Sequence, residues 1–425
     1  DVYKSQFRDE LFVSFPRGRY DVLVGEVWLA SGQSNMGMPL AGWGRILDYE
    51  TEIARAHYPK IRLFTVERAT AMQPLPEVGS TGWHPCSPGA VAEFSSTAYF
   101  FARRVHRETG VPIGVINSTW GGTVAEAWTS AETLETIDDF RDATREVRAT
   151  AAEDRVEMRR AFEEAMAARQ RALTEDDEGL ADGAPIWVGT DLDDSAWPTM
   201  ELPTKWEDAD LPELDGVVWF RSEVELPASW EGSELTLSLG PIDDADETFF
   251  NGVPVGSMDA WNVPRRYPVP AELVRAGGNA ITVRVLDTWW SGGLWGEVGD
   301  LRLEGPEGKS IRLAGPWRYR VGLDLGELGP MPVSPDEPNR PTVLYNGMIE
   351  PLAPFAIRGV IWYQGESNSS RAHQYRTLFP ALIRDWRSTW GQGDFPFYFV
   401  QLAAFEPGPP EVDKWPELRE AQAQA

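Results

Sequence analysis

Three short polar stretches carry the residue types of acyl transfer: SGQSNM (Ser31 to Met36), STWGGT (Ser118 to Thr123) and QGESN (Gln364 to Asn368). Each follows an apolar run, VWLA, GVIN and VIWY in turn. A serine on a tight bend just past a buried strand is displayed to a ligand, and a backbone N–H there can point at a bound oxyanion. Ser34 is therefore the candidate nucleophile, although a single serine in a turn more often serves as a turn or cap residue. Gly121 and Gly122 lack side chains, so a backbone N–H at either can approach a substrate carbonyl closely; taken singly, they need only satisfy turn geometry. Gln364 offers an amide donor at the end of an apolar run, against the plainer alternative of a buried glutamine bonded to backbone. Glu366 and Asn368 are placed to orient that loop, and Gln33 and Asn35 flank the serine as supporting residues. One nucleophile and two sets of neutral donors together describe acyl transfer through a tetrahedral intermediate.

Such chemistry needs elements that bring three distant stretches to one place. In an open parallel sheet, polar residues just beyond the carboxyl ends of the strands collect at one crevice. From Tyr20 to about Trp128, DVLVGEVWLA, IRLFTV and VPIGVIN read as strands buried on both faces, and SSTAYFFARRVHRETG as an amphipathic helix. That rhythm predicts a doubly wound α/β sheet. It returns after PVSPDEPNRPTVLYNG, where FAIRGVIWYQGES reads as a strand, AHQYRTLFPALIRDWRSTWG as a helix and FPFYFVQLAAF as a further strand.

Two other zones separate these halves. From about residue 130 to 181 the chain is rich in Ala, Glu and Arg and predicts a helical connector, a hairpin of two helices. Residues 182–326 alternate short apolar strands with Trp, Pro, Gly and Asp, as in VVWFRSEVELP and NAITVRVLD, and predict an inserted β-sandwich with a hairpin turn at Asn251-Gly252. The expected organisation is thus a core over 1–181 and 327–425, with the β domain at 182–326 between its parts.

Length and composition bound the function. A chain of 425 residues, 42% hydrophobic and 25% charged, predicts two or three globular domains. A formal charge of −27 argues against nucleic acid and anionic membrane as partners, because a phosphate backbone is bound through Lys and Arg. Cys86 is the single cysteine, so neither a disulfide framework nor a cysteine metal site is expected within the chain. No run approaches the roughly 18 apolar residues of a membrane span, and Asp1 opens without a signal peptide.

The motif residues also carry a resemblance. GEVWLASGQSNM, INSTWGGTVAEAW, LYNGMIEPLAPFAIRGVIWYQGESN and QYRTLFPALIRDWR resemble the blocks of the SGNH hydrolase superfamily and, within it, of the sialate O-acetylesterase family of carbohydrate esterases. The resemblance covers about Asp21 to Trp128 and Val343 to Gln424. It implies a three-layer α/β/α SGNH-hydrolase core and Ser34 as nucleophile. It also implies an oxyanion hole made by the Ser34 N–H, one of Gly121 and Gly122, and a side-chain amide best matched by Gln364. Neither metal nor cofactor is implied. The expected substrate is an acetylated carbohydrate, either sialic acid or an acetylated plant or algal polysaccharide such as acetylxylan. A periplasmic or secreted location follows from the same resemblance, while nothing in it sets the oligomeric state.

The family completes its triad with an Asp-x-x-His block near the carboxyl end. The sequence here ends in ELREAQAQA, which resembles the segment before that block, so the base is expected beyond Ala425. His57 and His106 read as helical, His84 as part of a loop and His373 as the start of a helix; none of the four is taken as the base. Segments of the β insertion, among them GPIDDADETFFNGVPVG and GGLWGE, resemble the jelly-roll sugar-binding-like domains of glycoside hydrolases. There Trp289, Trp290 and Trp295 are candidate sugar contacts, against the alternative that they fill a core. A glycan-binding protein with an incomplete catalytic centre is the competing expectation.

Overall fold

A computed structural model describes residues 11–15, 18–44, 46–150, 152–212, 214–288, 291–405 and 414–425. The fold is mixed α/β with several sheets. The chain divides into two compact units, residues 1–156 with 335–425, and residues 157–334.

The first unit is built on a six-stranded sheet whose strands lie in the order Phe397–Phe399, Gly359–Tyr363, Glu26–Gly32, Ile113–Thr119, Tyr58–Thr65 and His84–Cys86. The first five are mutually parallel and the last is antiparallel. Its central strands are apolar at consecutive positions because both of their faces are covered. Trp28, Ala30, Val115 and Ile361 pack with Ala98, Tyr99 and Ala102 of the helix Ser96–Thr109. The alternate residues Leu29, Ile116, Val360 and Trp362 join a second core with Tyr375, Phe379, Leu382 and Trp386 of the helix Ala372–Trp390. Both helices carry end signals in the sequence. Ser95 caps the first, its hydroxyl accepting from the Ala98 N–H at 3.0 Å. Gly110 and Gly391 close the two in the left-handed conformation.

The connector forms three helices, Ala131–Leu134, Asp138–Ala149 and Ala152–Glu175. In the second unit two antiparallel sheets share one core. Val218, Phe220, Ile281 and Val283 come from the larger sheet, and Leu235, Leu237, Leu239, Val269 and Leu301 from the smaller. Asn251 and Gly252 both have positive φ and join the strands Ala245–Phe250 and Val253–Asp259, as a tight hairpin turn requires.

Some local expectations give way. Only Phe397–Phe399 of FPFYFVQLAAF is strand, because the Leu402 N–H leaves the ladder for the Gln422 side chain at 2.9 Å. His57 falls outside the helix Tyr49–Ala54, as Tyr58 precedes Pro59 and is pushed into the extended region. His84 lies in a three-residue edge strand rather than a loop, paired with Leu63. Among the described residues no helix is long and apolar enough to cross a membrane.

Candidate active site

Parallel register places three carboxyl strand ends side by side. Gly32 is level with Thr119 on one side and Tyr363 on the other. The Gln33 N–H donates to the Tyr363 carbonyl at 3.0 Å and the Trp120 N–H to the Gly32 carbonyl at 3.1 Å, so SGQSNM, STWGGT and QGESN leave the sheet together. Gly32 is required here. Its φ is +135°, and a Cβ at this position would lie 2.1 Å from the Tyr363 carbonyl oxygen.

Ser34 is the first residue of a one-turn helix, Ser34–Gly37, where its N–H has no intrahelical acceptor. The turn is held from behind by the start of the helix Ser96–Thr109. The Ser95 hydroxyl donates to the Met36 carbonyl, the Thr97 hydroxyl to the Asn35 carbonyl at 3.1 Å, and the Ser96 N–H to the Met38 carbonyl at 2.7 Å. Ser34 itself is half-buried.

Of the two candidate glycines, Gly121 faces the serine. A Cβ built on it would lie 3.5 Å from the Ser34 Cβ and 3.8 Å from the Ser34 nitrogen. Gly122 has φ +74° and nothing within 4 Å of such a Cβ, so its part is to make the turn. Asn339, which sequence reasoning missed, braces this loop by accepting from the Val124 N–H at 2.9 Å and donating to the Gly122 carbonyl at 3.2 Å.

Gln364 is fully buried and committed. Its Nε2 donates to the Thr123 carbonyl at 3.0 Å and to Asn368 Oδ1 at 2.6 Å, while its Oε1 accepts from the Tyr375 hydroxyl at 3.0 Å. Both amide hydrogens are engaged, so in this arrangement the side chain ties QGESN to STWGGT and presents no free donor. Asn368 extends the tie, accepting from the Ala125 N–H at 2.9 Å and donating to Glu126 Oε2 at 2.9 Å. Arg371 then pairs with Glu126 at 2.6 Å. Glu126 and Arg371 were also missed; each lies three residues past its motif, and nothing in the sequence shows that the two meet.

Gln33 and Glu366 join the remaining loops. Gln33 Oε1 accepts from the N–H groups of Gly365 and Ser367 at 3.3 and 3.4 Å. Asn35 Nδ2 donates to Glu366 Oε1 at 2.5 Å, whereas Glu366 Oε2 is enclosed without a hydrogen-bond partner among the described residues. Burial pushes the Glu366 carboxyl above its ordinary range, and the Asn35 hydrogen bond pulls it partly back.

None of the histidines is hydrogen-bonded to Ser34. His106 Nδ1 meets the Val111 carbonyl at 2.7 Å, His84 Nε2 meets the Thr81 hydroxyl at 3.0 Å, and His57 and His373 are exposed. Among the described residues no group of three or more His, Cys, Asp or Glu is arranged to hold a metal ion. Trp289 and Trp290 lie outside the described residues, and Trp295 is half-buried in the second unit.

The arrangement is a hydroxyl facing a backbone turn across the ends of parallel strands, with the Arg68 guanidinium 5.6 Å from the Trp120 ring of that turn. The profile of the family described as carbohydrate esterase, sialic acid-specific acetylesterase, matches residues 24–159 and 336–425, just over half of the chain. Mouse sialate O-acetylesterase is 23% identical over 404 residues, covering 91% of this chain and 44% of the relative. The human sialate O-acetylesterase is 41% identical over 90 residues, 19% of this chain and 17% of the relative. The chain therefore spans less than half the length of these curated relatives. A solved carbohydrate acetylesterase from Xanthomonas citri aligns over 96% of this chain and 50% of its own, at 22% identity and a TM-score of 0.46.

Proposed function

This chain belongs to the sialic acid-specific acetylesterase family of carbohydrate esterases, and from that premise we propose that it is a serine esterase removing O-acetyl groups from a sugar. The observation that carries the reading is the meeting of Ser34 and Gly121 at adjoining strand ends. In the proposed reaction Ser34 Oγ attacks the acetyl carbonyl as a general base takes its proton. The developing oxyanion is held by the N–H groups of Ser34 and Gly121. The bond from carbon to sugar oxygen then breaks, the sugar oxygen takes a proton, and water releases acetate from the acyl-enzyme. Gln364, expected as a third donor, serves here as the brace that ties QGESN to the Thr123 end of STWGGT. The same proposal reads the parallel sheet as an SGNH-type core and the second unit as an inserted jelly-roll domain. It also takes the protein to be exported, where acetylated glycans are met.

The test is acetate release from 4-nitrophenyl acetate, from 9-O-acetylated sialic acid and from acetylated xylan, by the protein and by Ser34→Ala. Turnover is expected to fall by about 10³-fold or more in the variant, with an unchanged folding midpoint. Equal turnover by the two proteins would remove Ser34 from the mechanism.

A further inference from the structure

The second unit carries an assembly of side chains that the Ser34 chemistry does not use. Between the strands Val253–Asp259 and Pro264–Val269, Trp261 stands 57% exposed. An indole left in water forgoes the burial that usually accompanies so large an apolar group, so what holds it out is informative. Trp295 stacks against it, with ring centroids 6.4 Å apart and planes inclined at 16°. The Trp295 indole N–H also donates to the Trp261 carbonyl at 3.2 Å. Beneath them Arg265 is fully buried and paired with Asp246 at 2.8 Å, and its guanidinium donates to the carbonyls of Val263 at 2.7 Å and Asp244 at 3.2 Å. The loop bearing Trp261 is thus clamped in advance, which lowers the ordering cost of any ligand laid on it.

The polar groups alongside are mostly acidic. Lys205 Nζ lies 5.8 Å from the Trp295 ring centroid and donates to the Ser291 hydroxyl at 2.8 Å. Asp243 and Glu207 both feel its charge, and burial together with the neighbouring Asp244 pushes Asp243 up to about 6. Glu207 accepts from the Gly292 N–H at 3.0 Å with one oxygen, and its other oxygen is enclosed without a partner among the described residues.

We propose that Trp261 and Trp295, flanked by Lys205, Asp243 and Glu207, form a binding platform for a neutral, hydroxyl-rich sugar chain. The flat C–H face of a pyranose ring rests on the exposed indole, and its hydroxyls donate to the Asp243 carboxylate, while the enclosed Glu207 contributes negative charge rather than a contact. A sugar that carries its own carboxylate meets two acidic side chains against one ammonium and is disfavoured. The platform stands apart from the esterase reading, since no step at Ser34 enters the argument. It does favour a neutral acetylated polysaccharide over sialic acid as the glycan engaged.

Affinity electrophoresis of the full chain tests this, run in the Ser34→Ala background so that deacetylation cannot alter the gel. Gels would contain xylan, galactomannan, soluble β-glucan or polysialic acid. Retardation by at least one neutral polysaccharide is expected, none by polysialic acid, and Trp261→Ala should weaken binding about tenfold. Trp261→Tyr, which keeps an aromatic face, should retain most of it, and this separates lost stacking from a disturbed loop. Absence of retardation in every neutral gel, equal retardation of Trp261→Ala, or stronger binding to polysialic acid would each overturn the proposal, whatever the esterase assay returns.

Discussion

Ser34 and Gln364 both stand at strand ends, yet only one of them is free to meet a ligand. The Ser34 side chain is half-buried with no hydrogen bond from a histidine, whereas every hydrogen of the Gln364 amide is spoken for by Thr123 and Asn368. Truncating Gln364 would remove the side chain that the Thr123 carbonyl and the Tyr375 hydroxyl share and leave Asn368 Oδ1 with the Ala125 N–H alone, at a cost of about 1–3 kcal/mol. Gln364→Ala should therefore lower the denaturation midpoint and turnover together. A drop of about 10²-fold in kcat with an unmoved midpoint would instead restore it as an oxyanion donor. The sequence displays which residue types end each strand, and Ser34 and the pair Gly121 and Gly122 are legible as candidates on that basis, whereas which glycine faces the serine comes from the structure. Nor does the sequence display hydrogen-bond partners 241 residues away, which is why the role of Gln364, and the parts of Glu126 and Asn339, come only from the structure.

At the scale of elements, the strands and helices that position the site follow from patterns short enough to read. VWLA, GVIN and VIWY are apolar at consecutive positions because Trp28 and Leu29, or Ile361 and Trp362, enter different cores. The helix Ser96–Thr109 announces itself through Ser95 and Gly110. Edges are less legible, as the short strands His84–Cys86 and Phe397–Phe399 show, because pairing there depends on what a neighbour offers rather than on the strand's own residues. A join sensitive to a single change lies between Glu26–Gly32 and Gly359–Tyr363. Gly32→Ala places a methyl group 2.1 Å from the Tyr363 carbonyl oxygen at a φ that L residues avoid. Its expected outcome is loss of Ser34-dependent turnover with a lowered thermal midpoint. Wild-type behaviour in both would show that the strand ends can part without harm to the site.

For the whole molecule the dominant physical quantity is charge. A formal net charge of −27 makes the folded state repel itself, and ions screen that repulsion. Raising salt from about 0.01 M to about 0.15 M shortens the screening length from roughly 30 Å to roughly 8 Å. At about pH 8 the thermal midpoint should rise by a few degrees over that interval, and the gain should shrink as pH approaches the sequence pI near 4.6. A midpoint lowered by salt would mean that exposed ion pairs such as Arg104 with Glu108 outweigh the repulsion.

The register of the parallel sheet also has a consequence in time. Glu26–Gly32 pairs with Ile113–Thr119 on one side and with Gly359–Tyr363 on the other. During synthesis at ~5–20 residues per second, the first neighbour is available roughly 10–50 s before the second. Through that interval a strand built of Val27, Trp28, Leu29 and Ala30 has one hydrogen-bonding edge open. Yield from the ribosome is then governed less by the stability of the finished sheet than by what shelters that edge while the intervening chain is made.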